Sequence, residues 1–354
     1  VAVSSGRAAL DMILDSFGLE NGDEVMMSAY TLKDLVSLIE AKGLQVRLID
    51  IDPSTFNIDP ALIEKNIGPR TRVIIATHIF GMPCDMDRIL ALAKKYGLKV
   101  VEDCAHALGS AYKEKKAGSL SDAAFFSLDT IKPVNTFGGG VITTDEISIY
   151  EKIRRVSDLH PHRPRALALK ILFSYAEHLI IISPLYPVLV SMLSSNRTGE
   201  LIKKIYLASH RVTNVKASAF TNIQALMGCR QLKDLDSRNA GRLILAKKMT
   251  EAFGDLVFVQ RHDHLQNGTF YFFVVKLPDS GFNTKNLRSR LVRRGIDAGV
   301  KSEVTDDCSG PENPAGDYLV TKDVYNTAIQ LPIHDRMSEK DIHRIAKALR
   351  EALA

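Results

Sequence analysis

The period of apolar positions changes repeatedly along the first half of the chain, and each change marks an element. ALDMILDSFGL has helical spacing, DEVMMSA is a short apolar run of strand length, and LKDLVSLIEAKG is helical again. That helix closes at Gly43, whose missing Cβ suits a left-handed cap. QVRLIDID reads as a strand and PALIEKNI as a short helix. TRVIIATHIFG is a continuous β-branched run, as expected of a strand covered on both faces. DMDRILALAKKYG is a helix, and LKVVEDCA, AAFFSL and GGVITT are strands. This alternation predicts a mostly parallel sheet between helices.

From about residue 150 to 250 the pattern is mainly helical. From about 256 it becomes α+β: LVFVQ and TFYFFVVKL as strands, TKNLRSRLVRRG as a helix, and SEKDIHRIAKALREALA as a closing helix. The expected division is a large domain over 1–235 and a small C-terminal α+β domain over 236–354. An apolar helical insertion is expected at about 160–205. Its centre, residues 166–195, is unusually apolar, yet Lys170, Glu177 and His178 interrupt it, and Pro184 and Pro187 would break a spanning helix. Two readings stay open: buried or subunit-contacting helices, or a weak interfacial membrane contact. The chain opens on VAVSSGRAAL, which reads as a strand end entering a helix, so a preceding N-terminal segment is expected to be missing.

The chain has 354 residues, 45% of them hydrophobic and 25% charged, which fits a soluble protein of two domains. A net charge of +5, with basic residues scattered, gives no nucleic-acid arm. Cys84, Cys104, Cys229 and Cys308 are far apart, with no metal-like spacing to histidine. They fit a reducing cytoplasm better than a disulfide scaffold, and no metal site is expected.

Three stretches carry candidate chemistry. In VVEDCAHALG, Glu102 and Asp103 follow a buried strand at its C-terminal edge, where ligands bind in open α/β sheets. Each is either a solvated loop acid or a partner for a cation in the cleft, and His106 is a capping, packing or ligand residue. In SSGRAALDMIL, Ser4, Ser5 and Gly6 lead into a helix whose first N–H groups make an anion site, to which Arg7 adds charge; simple N-capping is the plainer reading. In FFSLDTIKPVNTFGGGVITT, Ser127 ends a strand, and Lys132 lies in a loop before Gly138, Gly139 and Gly140. An exposed loop lysine is the ordinary reading of Lys132. The combination has a more economical explanation in a pyridoxal phosphate site, which needs an amine, a carboxylate for the pyridine nitrogen and donors for the phosphate. No G-x-G-x-x-G follows the first strand, which argues against a Rossmann dinucleotide site.

SGRAAL, SAYT, DIDPSTFNIDP, HIFGMPCDM, VEDCAHALG and FSLDTIK followed by GGG occur in this order over roughly residues 1–155. In order and spacing they resemble the DegT/DnrJ/EryC1/StrS family, the sugar aminotransferases of PLP fold type I. The ending LPIHDRMSEKDIHRIAKAL is similar to the family's as well. The resemblance implies an α/β fold with a mostly parallel, seven-stranded-type sheet and a smaller α+β domain. It implies pyridoxal 5'-phosphate as cofactor, Lys132 as its Schiff-base lysine and proton shuttle, and Asp103 as partner of the pyridine nitrogen. His106 matches the position that contacts the ring hydroxyl, and Gly6, Arg7, Ala8 and Ser127 match the phosphate cradle. His78 and Pro83 would shape the loop beneath the site, with Glu102 as a neighbouring acid.

The sequence departs from the family at several of these positions. Arg7 replaces the usual threonine, Ser28 the usual proline, and Leu32 stands where an aromatic often stacks on the cofactor. Asn214 is the nearest match, displaced by a few residues, to an asparagine that reaches the neighbouring subunit's phosphate. By resemblance the protein is a cytoplasmic homodimer; the apolar stretch 166–195 adds the reading of a weak membrane contact. It would move an amino group from an amino acid, expected to be glutamate, to a nucleotide-linked keto-sugar. A cyclitol or a lipid-linked ketone is the alternative acceptor, and a PLP-binding inactive homologue with a regulatory role the alternative function.

Overall fold

The computed structural model describes residues 1–181, 183, 218–260, 268–277, 284–301, 305–310 and 317–353. Its centre is a seven-stranded sheet in the order β1-β10-β9-β6-β5-β2-β4. The strands are β1 (Ala2–Val3), β2 (Glu24–Ser28), β4 (Gln45–Ile49), β5 (Thr71–Thr77), β6 (Lys99–Asp103), β9 (Ala123–Ser127) and β10 (Gly140–Thr143). β10 runs antiparallel to both its neighbours, β9 and β1, while β9, β6, β5, β2 and β4 pair in parallel.

The strand period of two sorts side chains between the faces. Val25, Met27, Val73, Ile75 and Val101 pack with Leu10 and Ile13 of α1 (Gly6–Ser16), Ile39 of α2 (Lys33–Ala41) and Ile153 of α5 (Ile147–Asp158). Met26, Ile74, Ala76 and Val100 face the other way, against Ile63 of α3 (Pro60–Asn66) and Ile89 of α4 (Met86–Tyr96). Gly43 and Gly97 take left-handed φ values of 76° and 67° just past α2 and at the end of α4, as their place in the pattern predicts.

The C-terminal part builds a four-stranded antiparallel sheet in the order β11 (Phe258–Val259), β12 (Phe273–Lys276), β15 (Ala328–Leu331), β13 (Gly299–Val300). Its core is packed by Leu287 and Leu291 of one helix (Thr284–Arg293) and Ile342, Ile345 and Leu349 of the last helix (Glu339–Leu353). TFYFFVVKL reads as one strand, but only β12 (Phe273–Lys276) pairs. Phe270 takes a positive φ of 45°, and the chain before the strand turns toward the large sheet. There Thr269 and Tyr271 donate their N–H groups to Gly81 O and Phe80 O. A short antiparallel pairing, Asp306–Asp307 on Tyr30–Thr31, joins the two parts a second time.

The described part of the apolar segment is one helix, α6 (Pro164–Ile181). Of its side chains Leu167 is buried, while Leu169, Leu172, Phe173, Tyr175, Leu179 and Ile180 are 48–63% exposed. The described half is therefore not the buried helix that its composition allowed. Residues 184–195, with Pro184 and Pro187, lie outside the described residues, and no described helix is long and apolar enough to cross a membrane.

Candidate active site

The C-terminal edges of β5, β6 and β9 deliver Thr77, Asp103 and Ser127 to one side of the sheet, as parallel strands with crossover helices do. The start of α1 closes this corner. Ser5 is the N-cap, in extended geometry, and its Oγ accepts the Ala8 N–H at 3.1 Å. The N–H groups of Gly6 and Arg7 are left without an intrahelical acceptor. A Cβ on Gly6 would sit 3.3 Å from the Ser127 Cβ, so glycine lets the helix start press against the end of β9. Two free N–H groups, a hydroxyl and the positive end of a helix form an anion cradle. The Arg7 guanidinium is ion-paired with Asp34 and partly exposed.

Asp103 is buried. Its Oδ1 accepts the Ala105 N–H at 3.0 Å, and Thr77 Oγ1 donates to its Oδ2 at 3.4 Å. Among the described residues no cation lies within ion-pair distance of it. Burial pushes its pKa up, opposed by the Ala105 N–H and the charge of Lys132.

Beneath it sits a fixed polar network. The Cys84 N–H donates to His78 Nδ1 at 3.0 Å, so the proton of this buried ring is on Nε2, which donates to Glu102 Oε2 at 3.0 Å. Glu102 also accepts from Gly118 N, Leu120 N and Ser121 Oγ at 2.8–2.9 Å. Burial alone would raise its pKa; these donors, His78 foremost, hold it below the ordinary value. Cys104 lies close to both, within a group spanning 4.8 Å, but the carboxylate and imidazole atoms are already committed to bonds within the protein. Asn57 Nδ2 donates to Met82 O and Pro83 O at 3.1 Å and fixes the loop under the site.

Lys132 sits in a loop that closes on itself: Leu128 donates its N–H to Gly139 O at 2.9 Å, and Thr136 donates to Leu128 O at 3.0 Å. Gln224 Nε2 holds the far side through Thr136 O and Gly138 O. The Lys132 ammonium lies 4.6 Å from the centre of the Tyr271 ring, whose hydroxyl donates to Ile131 O at 3.0 Å. Burial lowers the Lys132 pKa to about 8, while Asp103 and Asp129 pull it back up. His106 stacks on Tyr271 at 4.5 Å and runs parallel to Phe80. Its burial, then the charge of Lys132, holds its pKa well below normal, so it is neutral near pH 7.

Gly138 and Gly139 have φ of 113° and 126°, which L side chains rarely adopt. Their loop passes close to the anion cradle: a Cβ on Gly140 would lie 2.5 Å from Ser5 O, and Ser5 bridges Gly139.

Gly6, Arg7, Leu32, Asp103, His106, Ser127 and Lys132 all line one cavity of about 360 Å³, the size of a small-molecule or cofactor site. Ala8 does not line it; its N–H is taken by Ser5 and it borders the groove between α1 and α2. Asn214 lies outside the described residues. Sequence reasoning missed Asp129, Lys170 and Tyr271. Asp129 stands three residues before Lys132 in the same loop and was within reach. It pairs with Lys170 of α6 at 2.8 Å, and neither Lys170 nor Tyr271 belongs to a recognisable motif.

The profile described as the DegT/DnrJ/EryC1/StrS aminotransferase family matches residues 1–168 and 195–350. The spore coat polysaccharide biosynthesis protein SpsC of Bacillus subtilis is 28% identical over 99% of this chain and 84% of its own. The GDP-perosamine synthase of Caulobacter vibrioides is 39% identical, over 46% of this chain and 44% of its own. Among solved structures, DesV of S. venezuelae has a TM-score of 0.76 at 25% identity, covering 100% of this chain and 84% of its own. An aminotransferase from Psychrobacter cryohalolentis has a TM-score of 0.77 at 22% identity, covering 99% and 86%, a likeness of fold.

Proposed function

We infer, for a chain that belongs to the DegT/DnrJ/EryC1/StrS aminotransferase family, that its cavity binds pyridoxal 5'-phosphate and serves amino transfer from an amino acid to a keto-sugar. The observation that carries the cofactor is Asp103: a buried carboxylate, without an ion-pair partner among the described residues, lining the same cavity as Lys132 and the free helix start. A pyridinium nitrogen is the charge it lacks. The backbone N–H groups of Gly6 and Arg7 and the Ser127 hydroxyl would hold the phosphate, and neutral His106 the ring hydroxyl. When bound, the cofactor supplies the electron sink that makes a carbon-bound proton removable. Lys132 then acts as the base that takes this proton and returns it one carbon away, a task suited to an amine near pKa 8.

The domain division at about residue 235 and the completion of the site across a homodimer remain part of this proposal. Four free cysteines support a reducing cytoplasm as its setting. GDP-perosamine synthase and a dTDP-3-amino-3,6-dideoxy-alpha-D-galactopyranose transaminase among the relatives favour a nucleotide-linked keto-sugar as acceptor; glutamate is the donor in this proposal. A cyclitol or lipid-linked ketone is the second reading, and Leu167 of α6 in the cavity wall favours the lipid-linked one of the two.

The test is a visible spectrum. Purified protein mixed with pyridoxal phosphate should develop the absorbance of lysine-bound cofactor, and glutamate should then discharge it. A band that ignores every amino donor would point to the inactive homologue, and no band would remove the cofactor assignment. The capture rate should rise with pH and level off above about 8, because only the neutral amine attacks. A pH-independent rate over that range would contradict the placement of Lys132.

A further inference from the structure

The family profile matches residues 1–168 and 195–350, so most of α6 and the apolar run after it fall outside the matched segments. At 3.6 residues per turn, Leu169, Leu172, Phe173, Tyr175, Leu179 and Ile180 fall within an arc of about 160°. All six are exposed. Among residues with described side chains, this arc holds one polar group, Arg165 in the first turn; Ala168 and Ala176 complete it. Leu167, Lys170, Ser174 and His178 lie on the other side. The helix is thus inverted relative to a surface helix of a globular protein, with its widest apolar face outward.

Its charge is equally one-sided. Residues 159–181 contain Arg163, Arg165 and Lys170 against one acid, Glu177, and Lys170 is paired with Asp129. The basic residues gather at the N-terminal end, where Arg163 and Arg165 are exposed. An apolar face with cations at its rim complements an anionic lipid surface: the side chains enter the acyl boundary and the guanidinium groups stay at the phosphates. Arg163, Leu167 and Lys170 also line the catalytic cavity.

We propose that α6 is a membrane-docking helix that lies flat in an anionic lipid surface and carries the cavity mouth to it. The amine acceptor then reaches the site from the bilayer interface, as an amphiphile or as a sugar made and consumed by membrane-bound enzymes. Docking itself does not depend on the transamination reading: flotation needs no cofactor, and the visible spectrum needs no lipid, so either can fail alone.

The experiment is flotation of the whole protein with two kinds of vesicle, phosphatidylcholine alone and phosphatidylcholine with phosphatidylglycerol. The wild type should rise with the anionic vesicles and less with the neutral ones. Leu172→Glu/Phe173→Glu should cut the bound-to-free ratio by about tenfold or more, since two large side chains leave the lipid. Arg165→Glu should reduce binding to anionic vesicles alone. Because these residues are exposed, the thermal midpoint and the cofactor band should not change. Wild type left at the bottom of both gradients would overturn the proposal, as would a double variant that floats like the wild type. If the double variant turns a dimer into a monomer while the wild type ignores vesicles, the face is a contact between copies of this chain and the lipid proposal falls.

Discussion

Lys132→Ala is expected to lower the single-turnover rate of amino transfer by at least about 10⁴-fold, with glutamate no longer changing the visible spectrum. Two functions are lost together, the amine that captures the cofactor and the base that moves the proton, and general-base catalysis alone contributes about 10²–10⁴-fold. Among the described residues lining the cavity, the other amine, Lys170, is paired with Asp129 at 2.8 Å. Tyr271 is the nearest neighbour, and its pKa is pushed up, chiefly by burial. His106 is neutral but sandwiched between Phe80 and Tyr271. Lys132→Arg should fail as well, because guanidinium stays protonated. A small free amine in the buffer should restore part of the Lys132→Ala rate, which a merely misfolded variant would not show. A rate within tenfold of wild type for Lys132→Ala would remove the lysine from the mechanism.

The second large effect concerns stability. Glu102→Ala should cost about 3–5 kcal/mol, read as a shift of the urea midpoint, because it leaves donors buried without an acceptor. The orphans are His78 Nε2–H, the N–H groups of Gly118 and Leu120, and the Ser121 hydroxyl. The sign of the pH dependence follows from the depressed carboxyl. Since Glu102 titrates lower folded than unfolded, its contribution is complete above the unfolded value, near 4.5, and is lost as acidification passes through the folded one. The variant should therefore differ most from wild type at neutral pH and converge with it in acid. A loss below about 1 kcal/mol would mean that the network is replaceable by water. Activity should suffer too, since the backbone N–H of His78 donates to Asp103 O at 3.0 Å and links the network to the site.

The alternation of strand and helix was legible because each parallel strand is covered on both faces and each helix on one, which writes two different periods into the chain. Asp103 and Lys132 were legible because each stands in a local motif, VVEDCAHALG and FSLDTIK, at the end of a strand or in the loop after one. Tyr271 was hidden for the opposite reason. It belongs by pattern to a strand, yet the positive φ of Phe270 takes it out of that strand and lays it against Lys132, some 140 residues away in sequence. The apolar segment was legible as apolar, but composition does not say whether a helix turns its apolar arc to the core or to the outside. Arg7 looked like a charge for the phosphate because Asp34, its partner, lies on the next helix.

The bridge between Ser5 and Gly139 has a mechanical consequence. It couples the stretch that would grip a phosphate to the closed loop that holds the amine, so neither can slide without dragging the other. The bridge then sets how far the helix start stands from the Lys132 loop, and a cofactor held by both would have its length matched to that distance. A cofactor analogue longer or shorter by one bond should bind less tightly than pyridoxal phosphate.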